Sequence, residues 1–220
     1  MITLKTLTRL YPKYQLSESK NIVVISENEA NAKIKGLSIK NADFLSLDTT
    51  IVKDFTSFFQ KAQSPDLFNL DCDGVILFEN DGIKYVLLVE LKSKFSTTEI
   101  FKARRQIISS FIKLNILFNS LENYDKNNYC FKGVIVSLLP NDEALNAISK
   151  KIMLDDAGGK YAKFAFSLYT AKNFNLSSNS CNELSSLPFH SNCIFKDVTF
   201  QYVGVEEGKA SVDIDVNMLM

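Results

Sequence analysis

The stretch CDGVILFENDGIKYVLLVELK, residues 72–92, predicts a β-hairpin. Two apolar runs, Cys72–Phe78 and Lys84–Leu91, flank Asp81-Gly82, a dipeptide that readily adopts the positive φ angles of a tight turn. The continuous apolar run Val86–Val89 is typical of a strand covered on both faces. We therefore expect this hairpin to lie inside a sheet with helices packed on its faces.

The hairpin brings acidic and basic side chains together at its open end. With a two-residue loop, Glu90 faces Asp73 and Lys92 faces Asp71, whereas a four-residue loop would place Asp71 opposite Glu90. A bulge would upset either register. An exposed cross-strand ion pair would also fit these residues. Charges on an apolar strand are costly to bury without partners, however, so we take Asp73, Glu90 and Lys92 as the candidate catalytic residues.

Two carboxylates and a lysine suit metal-assisted hydrolysis of a phosphodiester. Mg²⁺, for which Mn²⁺ is the expected substitute, prefers oxygen ligands and retains several waters. We expect Asp73, Glu90 and the backbone carbonyl of Leu91 to bind it, while Lys92 positions the attacking water or offsets developing charge. The spacing E-x-K is weak evidence alone. It also occurs in two polar, turn-like segments, Glu18-Ser19-Lys20 and Glu207-Gly208-Lys209.

Asp73, then 16 residues, then Glu90-Leu91-Lys92, with a helix after the second strand, resembles the PD-(D/E)XK nuclease superfamily. The resemblance covers Thr49–Leu139. It implies a restriction-endonuclease-like core of a helix, a β-meander, a helix and a final strand. It also implies that Asp73 and Glu90 are metal ligands and that Lys92 is the catalytic lysine.

The family pattern extends to further positions, some of which differ here. Cys72 replaces the proline that precedes the first acid, and its side chain is expected in the core. Asp54 is either the additional acid that some members carry on the first helix or an ordinary solvated helix residue, and the second interpretation is favoured. Some relatives carry Q-x-x-x-Y on the second helix, where this chain has Gln106 but Ser110 in place of the tyrosine.

The other segments predict an α/β fold with a mixed central sheet flanked by helices. We expect one domain over 1–220, with a β-rich N-terminal addition (1–47), a nuclease-like core (48–140) and a C-terminal helix with a β-rich addition (141–220). The predicted helices are Thr49–Ala62, Thr97–Leu121 and Asp142–Met153. The predicted strands include Phe131–Leu139, Tyr161–Tyr169, Ile194–Val205 and Ala210–Val216, and 172–193 reads as a long loop.

A polar stripe follows one face of the predicted helix Thr97–Leu121. Its members recur at steps of three and four residues: Lys102, Arg105, Gln106, Ser109 and Lys113. They would either contact a phosphate backbone or form an ordinary solvated face. Lys94 would either extend the positive field of the site or simply be exposed.

Composition limits the choice of partner and compartment. The chain has 25 basic and 25 acidic residues, no long apolar stretch and one histidine, His190. Its four cysteines are scattered, which favours reduced thiols in the cytoplasm, and the lack of a long apolar stretch predicts no membrane association. Zero net charge argues against tight DNA binding by the chain alone, so a partner subunit or homo-oligomer is expected.

Two functions follow from these observations. The first is a metal-dependent nuclease acting on DNA, of the kind found among bacterial defence or restriction-type effectors. The alternative is a catalytically inactive nuclease-like subunit that serves as a binding or assembly module.

Overall fold

The computed structural model describes residues 9, 13–14, 16–57, 68–181, 183–184, 187 and 189–220. The strands are β1 (Leu16–Ser26), β2 (Gly36–Leu47), β3 (Gly74–Asn80), β4 (Ile83–Lys92), β5 (Tyr129–Leu138), β6 (Asn173–Ser177), β7 (Asp197–Val205) and β8 (Ser211–Asp215). The helices of these residues are α1 (Thr49–Phe55), α2 (Thr97–Asn119), α3 (Asp142–Ile152) and α4 (Ala157–Ala171).

The described strands form one mixed sheet in the order β1-β2-β3-β4-β5-β7-β6, with β8 paired to β2. Strands β2, β3 and β4 are antiparallel neighbours, whereas β4, β5 and β7 run parallel. Helix α2 connects β4 to β5 and packs against both. The prediction of an α/β fold with a mixed, helix-flanked sheet is therefore confirmed.

The hairpin between β3 and β4 has the expected two-residue turn. Asp81 and Gly82 adopt φ angles of 49° and 78°, as a tight hairpin turn requires. The paired residues run from Asn80 opposite Ile83 to Gly74 opposite Val89. This is the register predicted from the two-residue loop.

Two hydrophobic clusters cover the two faces of the sheet. On one face, Val86 and Leu88 of β4 pack with residues of helix α2 such as Ile107. On the other face, Leu87 and Val89 pack with residues of β2, β5 and the C-terminal segment. The alternation of β4 side chains therefore fixes the faces of its last residues: Glu90 and Lys92 project on the α2 side.

Helix α2 confirms the predicted helix Thr97–Leu121, although it ends at Asn119. Ser96 is the N-cap and its Oγ accepts a hydrogen bond from the Glu99 amide at 3.3 Å. The predicted helix Asp142–Met153 is also confirmed, by α3. Of the predicted helix Thr49–Ala62, Thr49–Phe55 form α1, which is capped at Thr56; residues 58–62 lie outside the described part of the chain.

The predicted strand Tyr161–Tyr169 is wrong, because these residues belong to helix α4. Its aromatic residues suggested a strand, but Ala162, Ala165 and Leu168 recur at helical spacing and are buried. Asp156 caps the helix by accepting a hydrogen bond from the Gly159 amide at 2.8 Å. The expected loop 172–193 also contains a short strand, β6, which pairs with β7.

No helix in the described ranges has the length and apolarity required to cross a membrane. All four cysteines are free, with Cys72 and Cys181 buried.

Replacing the cap residue of α4 tests whether 157–171 is a helix. We expect Asp156→Ala to lower the free energy of unfolding by about 1 kcal/mol, because the Gly159 amide loses its acceptor. The neighbouring exposed Asp155 does not hold the cap position, so Asp155→Ala is the control and should change stability by less than about 0.5 kcal/mol. Chemical denaturation measures both; equal effects would contradict the assignment.

Candidate active site

Glu90 and Lys92 lie at the end of β4, beneath helix α2. Glu90 is 1% exposed and Lys92 is 8% exposed. The Lys92 Nζ donates hydrogen bonds to Glu90 Oε1 at 2.6 Å and to Gln106 Oε1 of α2 at 2.8 Å. The two side chains thus form a buried, hydrogen-bonded pair held against the helix, and not an exposed cross-strand pair.

Asp73 reaches this site through an irregularity at the start of β3. Its amide donates to the Val89 carbonyl at 2.9 Å, although Val89 is already the ladder partner of Gly74. Two residues opposite one is the pattern of a β-bulge. The expectation that Asp73 directly faces Glu90 in the ladder is therefore wrong, because regular pairing ends at Gly74.

The bulge gives the Asp73 carboxylate a backbone partner. Its Oδ2 accepts a hydrogen bond from the Leu91 amide at 2.7 Å. The amide and carbonyl of one strand residue point toward the same neighbouring strand, so the Leu91 carbonyl is directed to the side on which Asp73 lies. The predicted ligand set of Asp73, Glu90 and the Leu91 carbonyl is thus brought to one end of the hairpin.

Asp71 does not face Lys92, as the hairpin register predicted. It lies before β3, and its Oδ1 accepts a hydrogen bond from the Nζ of Lys113 at 2.8 Å. The Asp71 carbonyl accepts a second bond from Gln106 Nε2 at 3.0 Å. Gln106 therefore joins two ion pairs, one between Lys92 and Glu90 and one between Lys113 and Asp71.

The polar stripe of α2 is mostly internal. Ser109 and Lys113 are 0% exposed, so the alternative of an ordinary solvated face is wrong for them and they cannot contact a phosphate backbone. Gln106 is committed to the bonds described above. Lys102 and Lys94 are exposed, which leaves these two basic residues on the surface, whereas Arg105 is partly buried.

Asp54 lies in a separate surface cluster. Its Oδ2 accepts hydrogen bonds from Lys13 Nζ and Tyr14 OH, both at 2.7 Å. These bonds lower the pKa of Asp54 from its ordinary value. This arrangement does not support a role for Asp54 as an additional acid of the site.

Two contacts of α2 were not foreseen from the sequence. The Ser110 Oγ accepts a hydrogen bond from the Cys72 amide at 2.9 Å, and Cys72 is buried in the core beside α2. Lys113 was assigned to a surface stripe but pairs with Asp71. The i, i+4, i+7 spacing of Gln106, Ser110 and Lys113 was the available signal, since it places three polar residues on one helical face.

Burial sets the electrostatics of the two carboxyl groups. Desolvation, followed by repulsion from Asp73, raises the pKa of Glu90 to about 8, and the attraction of Lys92 opposes this rise. The Gln106 side chain also acts against the rise in the pKa of Glu90. Its Nε2 nevertheless donates its hydrogen bond to the Asp71 carbonyl and not to Glu90. Burial raises the pKa of Asp73 as well, against the hydrogen bond from the Leu91 amide. The negative charge of Asp73 therefore disfavours the charged form of Glu90, whereas Glu27 and Glu29 are the acidic groups that add to the rise for Asp73.

One oxygen of this site lacks a hydrogen bond. Glu90 Oε2 is buried and has no hydrogen-bond partner within the described ranges. A buried, unsatisfied carboxylate oxygen is expensive, and a divalent cation would satisfy it. Among the described residues no group of three or more His, Cys, Asp and Glu side chains could hold a metal. The available donors are two carboxylates and a carbonyl, a set suited to Mg²⁺, which keeps several of its own waters.

No protein-family model, curated protein or solved structure matches this chain. The chemistry of the site therefore has to be argued from its own residues.

The raised pKa of Glu90 predicts a loss of stability with rising pH in the absence of divalent metal. The folded state retains a proton that the unfolded chain, with an ordinary value of 4.5, releases, so stability falls as pH rises from about 4.5 to about 8. We expect Glu90→Gln to remove this dependence. The difference in the free energy of unfolding between wild type and Glu90→Gln should change by about 2–4 kcal/mol between these two pH values.

Urea denaturation at several pH values, in the presence of a chelator, measures the effect. Glu207→Gln alters an exposed glutamate in another E-x-K segment and should follow the wild-type pH dependence. If the free energy of unfolding changed with pH in the same way in wild type and Glu90→Gln, the prediction would be contradicted.

Proposed function

We propose that this protein is a metal-dependent nuclease that hydrolyses phosphodiester bonds, with DNA as the expected substrate. Its centre is formed by Asp73, Glu90 and Lys92, with Mg²⁺ as the cofactor. The observation that carries the proposal is the buried Glu90 Oε2, which lacks a hydrogen bond in the described structure although it belongs to a carboxylate beside Asp73. A divalent cation bound by both carboxylates would remove their repulsion and satisfy this oxygen.

The strand arrangement supports the resemblance to the PD-(D/E)XK nucleases. An antiparallel meander, β2-β3-β4, is followed by helix α2 and by β5, which is parallel to β4. This order resembles the meander, second helix and final strand of the restriction-endonuclease-like core, although β2 lies before Thr49, where the resemblance in sequence begins. Helix α1 differs from that pattern, because it follows the first strand of the meander and does not precede it.

The residues of the chain have distinct roles in the proposed reaction. When bound, the metal ion would polarise the phosphate and lower the pKa of a coordinated water. Asp73 and Glu90 provide the negative charge that holds the ion. Lys92, which Glu90 and Gln106 fix in one orientation, provides a positive group that orients the water or offsets charge on the phosphate.

Binding of a phosphate backbone is supported by the surface around the site. Lys94 follows the site directly and Lys102 lies on the first turns of α2; both are exposed. Two or three such contacts give weak, salt-sensitive binding, and the chain has no net positive charge to add. A second subunit or an oligomer would supply the rest of the binding surface, as in a defence or restriction-type effector.

The alternative function is a nuclease-like assembly module without catalysis. Zero net charge is the observation that favours it. A module of this kind has no use for a buried carboxylate with an unsatisfied oxygen next to a second acid. The absence of carboxylate-dependent metal binding would favour the module over the nuclease.

Substitution of Lys92 tests the nuclease most directly. We expect wild type to cleave plasmid or linear DNA with Mg²⁺ or Mn²⁺, and Lys92→Ala and Asp73→Ala to lower the rate by at least about 100-fold, because each removes a group that stabilises the transition state. Lys209→Ala is the matched control, since Lys209 belongs to the exposed segment Glu207-Gly208-Lys209 and should leave the rate unchanged.

Circular dichroism of every variant separates loss of activity from loss of folding. A folded Lys92→Ala variant that cleaves as fast as wild type would contradict the proposed role. Metal binding without cleavage by wild type would instead point to a different substrate or a missing activator.

A further inference from the structure

The segment that leads into Asp73 is held by helix α2 and not by a strand. Residues 70–72 precede β3, so the sheet does not provide hydrogen bonds for their backbone groups. Side chains from one face of α2 do so instead. Lys113 Nζ donates to the Leu70 carbonyl at 3.0 Å, Gln106 Nε2 to the Asp71 carbonyl at 3.0 Å, and Ser110 Oγ accepts from the Cys72 amide at 2.9 Å.

Of these three side chains, Lys113 has the largest desolvation cost, because it is a charged group that is fully buried. It is 0% exposed, and its Nζ also donates to the carboxylate of Asp71 at 2.8 Å, which is 10% exposed. Burying both charges costs desolvation energy that their attraction does not necessarily repay, and an apolar pair of similar volume often stabilises a fold equally well. A role beyond core packing would account for this pair.

The geometry connects Lys113 to the candidate site by two routes. Along the chain, the clamped residue Asp71 is two positions before Asp73, whose Oδ2 must meet the Leu91 amide at 2.7 Å. Across the helix, Gln106 donates to the Asp71 carbonyl and accepts from Lys92. A shift of residues 70–72 would therefore move both Asp73 and the partner of Lys92.

We propose that Lys113 is a positioning residue of the active site, which fixes residues 70–72 through Leu70 and Asp71 and so sets the Asp73 carboxylate for metal binding. The proposal rests on the nuclease function proposed above. Lys113 itself contacts neither metal nor substrate.

The test is Mn²⁺ binding by the full chain, measured by calorimetry in the absence of nucleic acid. We expect Lys113→Met to weaken the affinity by roughly 10- to 100-fold, as is typical when a group that orients a metal ligand is lost. A simple electrostatic effect has the opposite sign, because removing a positive charge near two carboxylates would tighten cation binding. The direction of the change therefore separates positioning from charge.

Two further variants control for folding. Lys132→Met alters another lysine that is 8% exposed; Lys132 lies on β5 and its Nζ donates to the Met220 carbonyl at 2.7 Å, away from the site. We expect it to retain wild-type affinity for Mn²⁺. The double variant Asp71→Asn/Lys113→Met leaves no unpaired buried charge, so it remains informative if Lys113→Met alone does not fold.

Amide hydrogen exchange gives an independent measure of position. Exchange at Cys72 and Asp73 should accelerate in folded Lys113→Met or in the double variant, but not in Lys132→Met. If folded Lys113→Met and the double variant kept wild-type Mn²⁺ affinity and wild-type amide exchange, the positioning role of Lys113 would be overturned, whereas the proposed nuclease function would stand. Absence of Mn²⁺ binding by wild type would overturn the nuclease function and this proposal with it.

Discussion

Glu90 follows the apolar run of strand β4, and its side chain lies between the sheet and helix α2, where it is almost fully buried. The Lys92 Nζ donates a hydrogen bond to Glu90 Oε1 at 2.6 Å, but Glu90 Oε2 has no hydrogen-bond partner in the described structure. Burial raises the pKa of this carboxyl and Asp73 raises it further. The sheet thus holds a carboxyl group in a position that the surrounding residues do not fully stabilise, as is common at functional sites.

Helix α2 combines two tasks on different faces. Its apolar residues cover β4 and β5, whereas Gln106, Ser110 and Lys113 provide hydrogen bonds for the segment before β3. Because residues 70–72 lie outside the sheet and are partly or fully buried, their backbone groups need such partners. The helix that completes the core therefore also fixes one of the two candidate metal ligands. Packing and chemistry are coupled through the same element.

The hairpin register could be predicted because Asp81-Gly82 allows few turn geometries, and the position of Glu90 and Lys92 followed from it. The orientation of Asp73 could not, because a bulge depends on tertiary contacts and leaves no clear local pattern. The same limit applies to Lys113, whose spacing on α2 fits a surface stripe as well as an internal clamp. Helix α4 was mistaken for a strand because its aromatic residues favour strands locally, whereas its helical form is stabilised by packing against α2 and α3.

The central claim is that Asp73 and Glu90 bind one divalent cation. A crystal structure with Mn²⁺, located by its anomalous scattering, tests it most directly. We expect one peak at about 2.1 Å from carboxylate oxygens of both residues, including Glu90 Oε2, and near the Leu91 carbonyl. A crystal saturated with Mn²⁺ that shows no peak between these carboxylates would contradict the account.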